Sequence, residues 1–189
     1  MDHQVGRVIN AANSLGLLKD IVIVFAADNG WHLGEHKLWS KTSQFEESTH
    51  VPLMIYADGL TKGDKTSSLS ELLDIYPTLC DLCNIEKPHH LDGKSLVGIL
   101  NDKNAVVNDA VFSTLADAYT VITSDYRLTY YKDITPEGDD THLSNKYKYE
   151  LFDLTKDPNE NINVYGDHLY EQTAIYLKKL LSTKYRIES

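Results

Sequence analysis
Asp28, Asn29, Gly30 and Lys41, with His32, His36 and His50 among and just after them, bring oxygen donors, a cation and titratable rings into one short stretch of the chain. An aspartate carboxylate beside an asparagine carbonyl offers two hard oxygen donors, the chemistry that Ca²⁺ or Mg²⁺ requires. Gly30 lets the backbone turn sharply directly after them. Asp-Asn-Gly is equally ordinary turn chemistry, so these three residues alone leave a metal site and a simple Asx turn both open. Lys41 carries a flexible point charge suited to an anionic group, and by itself it reads as a solvated surface lysine.

The elements that must position these groups can be read on either side. Ile21-Val22-Ile23-Val24-Phe25-Ala26 is a short apolar run rich in β-branched residues, which predicts a strand covered on both faces in a parallel sheet. Val5, Ile9, Ala12 and Leu17 recur at helical spacing before it, predicting a helix that feeds this strand. In such sheets function collects beyond the carboxyl ends of the strands, where Asp28 and Asn29 stand. The site loop runs from Asp28 to about Ser43, and Val51-Pro52-Leu53-Met54-Ile55-Tyr56 predicts the next strand. Ser70 is the expected N-cap of a helix through Cys83, and Ser95 to Leu100 a short apolar helix.

Beyond about Asn101 the pattern becomes β-rich. Strands are expected at Ala110-Val111-Phe112-Ser113-Thr114, Tyr119-Thr120-Val121-Ile122-Thr123, Arg127-Leu128-Thr129-Tyr130-Tyr131 and Tyr149-Glu150-Leu151-Phe152-Asp153-Leu154. Thr135 to Asp140 reads as an exposed loop. The last helix, from His168 to about Tyr185, is expected to lay Leu169, Thr173, Tyr176, Leu177 and Leu180 on a small antiparallel sheet.

Segment by segment, the chain resembles the formylglycine-dependent sulfatase family, most nearly its iduronate-sulfatase and choline-sulfatase branch. The segments are Asp2-His3-Gln4-Val5-Gly6-Arg7, Ala27-Asp28-Asn29-Gly30, Gly34-Glu35-His36 with Lys41, and Phe45-Glu46-Glu47-Ser48-Thr49-His50-Val51-Pro52-Leu53. Asp74-Ile75-Tyr76-Pro77-Thr78-Leu79, Leu91-Asp92-Gly93-Lys94-Ser95-Leu96 and Glu150-Leu151-Phe152-Asp153-Leu154-Thr155-Lys156-Asp157-Pro158 continue the match over nearly the whole chain. The resemblance implies the C-terminal part of an alkaline-phosphatase-like α/β/α sandwich, followed by a small α+β subdomain with an antiparallel sheet and a C-terminal helix. Residues 1–103 would belong to the sandwich and 104–189 to the subdomain.

It also implies hydrolysis of a sulfate monoester, with a sulfated carbohydrate as the expected substrate. Asp28 and Asn29 would be ligands of Ca²⁺, and Lys41 would contact the sulfate. His50 and His32 would lie on the substrate side. The family's nucleophile is a formylglycine made from the Cys or Ser of a Cys-x-Pro-x-Arg or Ser-x-Pro-x-Arg motif, and no such motif occurs in these residues. The chain is therefore expected to be the C-terminal portion of a longer sulfatase and to turn over no sulfate ester by itself. By family, a periplasmic, secreted or lysosomal location is expected.

Other readings carry their own tests. A phosphatase or phosphonate hydrolase of the same superfamily would use similar metal and anion chemistry, and a fragment without a nucleophile could serve only in binding. His32-Leu33-Gly34-Glu35-His36 also matches the His-x-x-Glu-His pattern of inverted zinc metalloproteases, which needs both histidines on one helix face. Gly34 inside the pattern and Asn29-Gly30 before it oppose a regular helix. Cys80 and Cys83 have zinc or redox spacing, but no second ligand pair follows and helical periodicity surrounds them, so a buried helix is expected.

The 189 residues are 42% hydrophobic and carry a formal charge of −10. That acidic balance argues against nucleic acid and anionic membrane surfaces as partners and requires any anion-binding pocket to be locally basic. No run of eighteen apolar residues occurs, so membrane insertion is not expected.

Overall fold
The computed structural model describes residues 1–132 and 147–186, so the expected loop at 135–140 lies outside the described residues. Two compact units are present: Met1–Ala27 with Pro52–Val107, and Asp28–Val51 with Asn108–Ser189. The segment holding the chemically interesting residues thus belongs to the same unit as the C-terminal sheet.

In the first unit, α1 (Asp2–Ser14) leads to β1 (Val22–Ala26), which pairs with β4 (Leu53–Ala57) from Val22↔Ala57 to Ala26↔Leu53. The pairing is antiparallel rather than parallel, and most of β1 is only half-buried. An apolar run fixes the face of a strand, not its direction, which here follows from the chain turning back between the two strands. A 3₁₀ turn (Leu72–Asp74) opens α3 (Ile75–Leu82). Its cap is not Ser70 but a reciprocal capping box between Glu71 and Asp74.

Asp74 is fully buried, and its carboxylate also accepts the Lys94 N–H at 2.7 Å. Thr78 Oγ1 donates to the Asp74 carbonyl at 2.5 Å and accepts the Leu96 N–H at 2.8 Å. The Leu91 to Leu96 segment is thereby tied to the start of α3, and α4 (Val97–Asn101) follows. Cys80 is buried as expected, whereas Cys83, at the end of α3, is exposed; both are free thiols.

The second unit begins with a small hairpin of β2 (His32–Leu33) and β3 (Trp39–Ser40), joined through a 3₁₀ turn (Glu35–Lys37), and continues into a short α2 (Glu46–Thr49). Its main body is the antiparallel sheet β5 (Val111–Leu115), β6 (Ala118–Ile122), β7 (Tyr126–Tyr131) and β8 (Tyr149–Asp153), in that spatial order. The expected strands are found to within two residues at their ends. On one face Val121, Leu128, Tyr130 and Leu151 pack against Leu177 and Leu181 of α5 (Glu171–Tyr185).

The buried stripe of α5 differs from expectation. Ala174, Leu177 and Leu181 form it, with Tyr170 and Tyr185 at its ends and the expected Leu180 packed beside it, while Leu169 and Tyr176 are exposed. Successive steps of three and four residues keep this stripe on one face, whereas Tyr176 stands a full 100° around the helix from Leu177. On the opposite face of the sheet, the paired Thr120 and Thr129 share a hydroxyl hydrogen bond of 2.8 Å. Arg127, two residues before Thr129 on the same face, is also buried.

Candidate functional site
The strand-end segment is shaped by a close backbone approach. Gly30 N–H donates to the Ser48 carbonyl at 2.9 Å, and a Cβ on Gly30 would lie only 1.8 Å from the Glu47 carbonyl oxygen. Glycine is needed here because any side chain would occupy the space of α2's backbone.

Asn29 lies just before this contact, half-buried. Its Nδ2 donates to the Gly30 carbonyl at 2.7 Å, and its Oδ1 accepts from Lys41 Nζ at 2.9 Å. This network fixes the amide orientation, since the reverse assignment would set an NH₂ donor against the ammonium. Asn29 and Lys41 are thus brought together across twelve residues of chain, while Asp28 beside them presents an exposed carboxylate. A carbonyl oxygen, a carboxylate and an ammonium meet at one loop edge, with the ammonium on the carbonyl oxygen, so that oxygen is open to a cation only when Lys41 turns from it to an anion.

The three histidines differ. His32 is fully buried, with Nε2 at 2.7 Å from Ser43 Oγ, which in turn lies 2.9 Å from Ser48 Oγ. Burial holds its imidazole below the usual histidine range, so the ring is neutral at pH 7. It offers no exposed surface to a ligand and ties the hairpin to the 43–48 segment. His36 stacks on Phe45, ring centroids 3.9 Å apart and 5° from parallel, with Nε2 at 3.6 Å from Glu47 Oε2. His50 is exposed and pairs with Glu46 at 2.7 Å.

The His-x-x-Glu-His pattern does not form the helix that a zinc protease needs. His32 is in β2, His36 has φ of 54°, Lys37 has φ of 62°, and Glu35 Oε2 accepts the Leu33 N–H at 2.6 Å. Among the described residues, the grouping of His, Cys, Asp or Glu able to hold a metal is His36, Glu47 and Glu160, whose ligating atoms lie within 4.8 Å of one another. Arg127 occupies Glu160, however, and a guanidinium repels a cation placed beside it.

Arg127 and Glu160 form a buried ion pair that nothing in the local sequence signalled. The buried guanidinium donates Nη1 to the Gln44 carbonyl at 2.6 Å and to Thr49 Oγ1 at 2.9 Å, and forms ion pairs with Glu46 and Glu160. Glu160 Oε2 accepts the Glu46 N–H at 2.8 Å. Burial pushes the Glu160 carboxyl above the usual carboxylate range, while the Arg127 charge and the Glu46 amide pull it back. Phe45 adds an aromatic contact to Phe152, with centroids 5.8 Å apart.

Residues 34–186 match the family described as N-sulphoglucosamine sulphohydrolase, C-terminal. The chain belongs to the sulfatase family. It is 31% identical to an arylsulfatase of Clostridium perfringens over 96% of this chain and 37% of that protein. It is 28% identical to an N-acetylglucosamine-6-O-sulfatase of Bacteroides thetaiotaomicron, over 96% of this chain and 33% of that one. The sulfatase chain therefore spans about a third of the length of these curated relatives.

Among solved structures, it superposes with a TM-score of 0.86 and 26% identity on a protein in complex with its substrate D-glucosamine-2-N,6-O-disulfate, covering 98% of this chain and 38% of that one. A phosphonate monoester hydrolase of Agrobacterium radiobacter gives a TM-score of 0.81 at 27% identity, covering 98% and 39%. The fold of this sulfatase chain is accordingly the C-terminal part of an alkaline-phosphatase-like architecture, with the antiparallel sheet and terminal helix that its sequence implied. Among the described residues, no helix is long and apolar enough to cross a membrane.

Proposed function
We propose that the whole protein to which this chain belongs is a sulfuric ester hydrolase acting on the sulfate monoester of a sulfated carbohydrate. The observation that supports the reading is the 2.9 Å contact between Lys41 Nζ and Asn29 Oδ1 in a sulfatase chain: an ammonium that turns to a bound sulfate leaves a hard oxygen free for a metal. Asp28 and Asn29 fit Ca²⁺ by donor chemistry, supplying two of the six to eight oxygens that such an ion takes. Bound there, calcium would withdraw charge from a sulfate oxygen.

Lys41 then neutralises sulfate charge as the ester bond breaks, and His50, exposed just beyond α2, faces the sugar. His32 serves the same site from within, holding Ser43 and the hairpin. In this reading residues 1–103 are the C-terminal portion of the catalytic sandwich and 104–189 its α+β subdomain, with the 28–51 segment of the former clustering with the latter. The covalent step belongs to a formylglycine from a Cys-x-Pro-x-Arg or Ser-x-Pro-x-Arg motif, which these residues do not contain. A location outside the cytosol, whether periplasmic, secreted or lysosomal, accompanies this reading. The carbohydrate assignment is supported by the glucosamine-directed relatives in both sequence and structure.

The test is sulfate release by the full-length protein co-expressed with a formylglycine-generating enzyme. Lys41→Ala is expected to lower kcat/KM by about 10²-fold or more with an unchanged melting temperature, and Lys41→Arg to recover only part. Wild-type kinetics in Lys41→Ala would remove the sulfate pocket from this loop. The likeness to the phosphonate monoester hydrolase favours a second reading, and turnover of a phosphonate monoester in preference to a sulfate ester would establish it.

A further inference from the structure
We infer that Arg127 is a positioning residue of the sulfate site, setting the distance between Asn29 and Lys41 through its hold on Gln44, Glu46 and Thr49. The inference rests on the sulfatase reading of Lys41 given above. Its basis is the way one side chain holds every part of a short segment. Arg127 Nη1 donates to the Gln44 carbonyl and to Thr49 Oγ1, Nη2 donates to Glu46, and Nε is ion-paired with Glu160, whose other oxygen accepts the Glu46 amide. The guanidinium is 1% exposed, so its contacts with the Gln44 carbonyl and with the buried Glu160 are shielded from water, whereas the Glu46 carboxylate is partly open to it.

The clamped segment is the one against which both halves of the site are set. On one side, Gly30 lies against the Glu47 and Ser48 backbone, so the position of α2 dictates that of Asn29. On the other, Ser43 Oγ joins Ser48 to His32, whose strand pairs with Ser40 next to Lys41. A shift of α2 therefore moves Asn29 and Lys41 by different routes and changes their separation. Arg127 touches neither of them and acts only through this segment.

A fixed planar fork suits such a task, because five N–H donors in one rigid group can hold several acceptors at set angles. Lysine at the same place would keep the charge but point its donors from one tetrahedral centre. Misplacement of a reacting group by about 1 Å can cost on the order of 10²-fold in rate, so even a small slackening is measurable.

The experiment is a double-mutant cycle in the full-length, formylglycine-bearing protein, scored by kcat/KM on one sulfate ester with circular dichroism and melting curves in parallel. Arg127→Lys is expected to lower kcat/KM about 10-fold or more when Lys41 is present and by a clearly smaller factor in the Lys41→Ala background, where only its effect through Asn29 remains. A merely structural arginine would give equal factors in both backgrounds, and that result overturns the inference. If Arg127→Lys does not fold, Thr49→Val deletes one acceptor of the same guanidinium and runs the same cycle. An inactive-site outcome is separable: if Lys41→Ala alone retains wild-type kcat/KM, the sulfatase reading of this loop falls, and the positioning role falls with it.

Discussion

Gly30→Ala is the sharpest single test of the site's construction. The new methyl would sit 1.8 Å from the Glu47 carbonyl oxygen and 2.8 Å from its carbon, against the 3.0 Å below which real Cβ contacts essentially never fall. The obstacle is backbone, which cannot swing away as a side chain would, so the backbone at Gly30 and α2 must separate by about 1 Å or more. That separation breaks or stretches the 2.9 Å bond from Gly30 N–H to Ser48, worth about 1 kcal/mol. It also carries Asn29 away from Lys41, and a misplacement of that size corresponds to a loss on the order of 10²-fold in kcat/KM. The assay is sulfate release by full-length wild type and Gly30→Ala at matched calcium, with melting temperature followed alongside. A variant with wild-type kinetics and unchanged stability would refute the claim that this backbone approach sets the site.

Asp28→Ala is expected to lose calcium and activity together, and Asn29→Ala to do so less completely, because a methyl replaces a hard oxygen donor; unchanged calcium content by metal analysis would count against both assignments. Leu177→Ala, at a fully buried position between α5 and the sheet, is expected to destabilise by about 2–5 kcal/mol, read from chemical denaturation. Burial raises the Asp153 carboxyl, but hydrogen bonds from Thr155, Lys156 and Tyr170 outweigh it and hold the group at about 2. A folded pKa below the unfolded value stabilises above pH 4 and is lost as pH falls toward 2, so Asp153→Asn should flatten that part of a stability-against-pH curve.

What the sequence disclosed, and what it did not, divides by range. The alternating run through Arg127-Leu128-Thr129-Tyr130 is enough to place a strand, and Asp28-Asn29-Gly30 after an apolar run is enough to mark a strand end. The same run could not say that Arg127 faces Gln44, Glu46 and Thr49, about eighty residues earlier, because nothing local distinguishes a clamp from a solvated strand arginine. Nor does Val22-Ile23-Val24-Phe25 encode whether its neighbour runs with it or against it. Asp74 was legible only as a residue of an expected helix and Gly93 only as a loop residue, although the Leu73 carbonyl lies 2.1 Å from where a Cβ on Gly93 would be, leaving no room for a side chain.

Because Ala26 pairs directly with Leu53, the two ends of the intervening stretch are anchored side by side, as the ends of a hairpin turn are. Residues 28–51 are therefore, topologically, a long excursion from an otherwise simple two-stranded ribbon. Shortening that excursion sixfold to a tight turn would lower the entropy of closing it by only roughly 1.6 kcal/mol, so a ribbon without it loses little in chain connectivity. The stretch is in that sense a removable cassette: loops of different length and chemistry could be exchanged between the same two strands without disturbing their register, provided each brings its own fit to the sheet that carries Arg127.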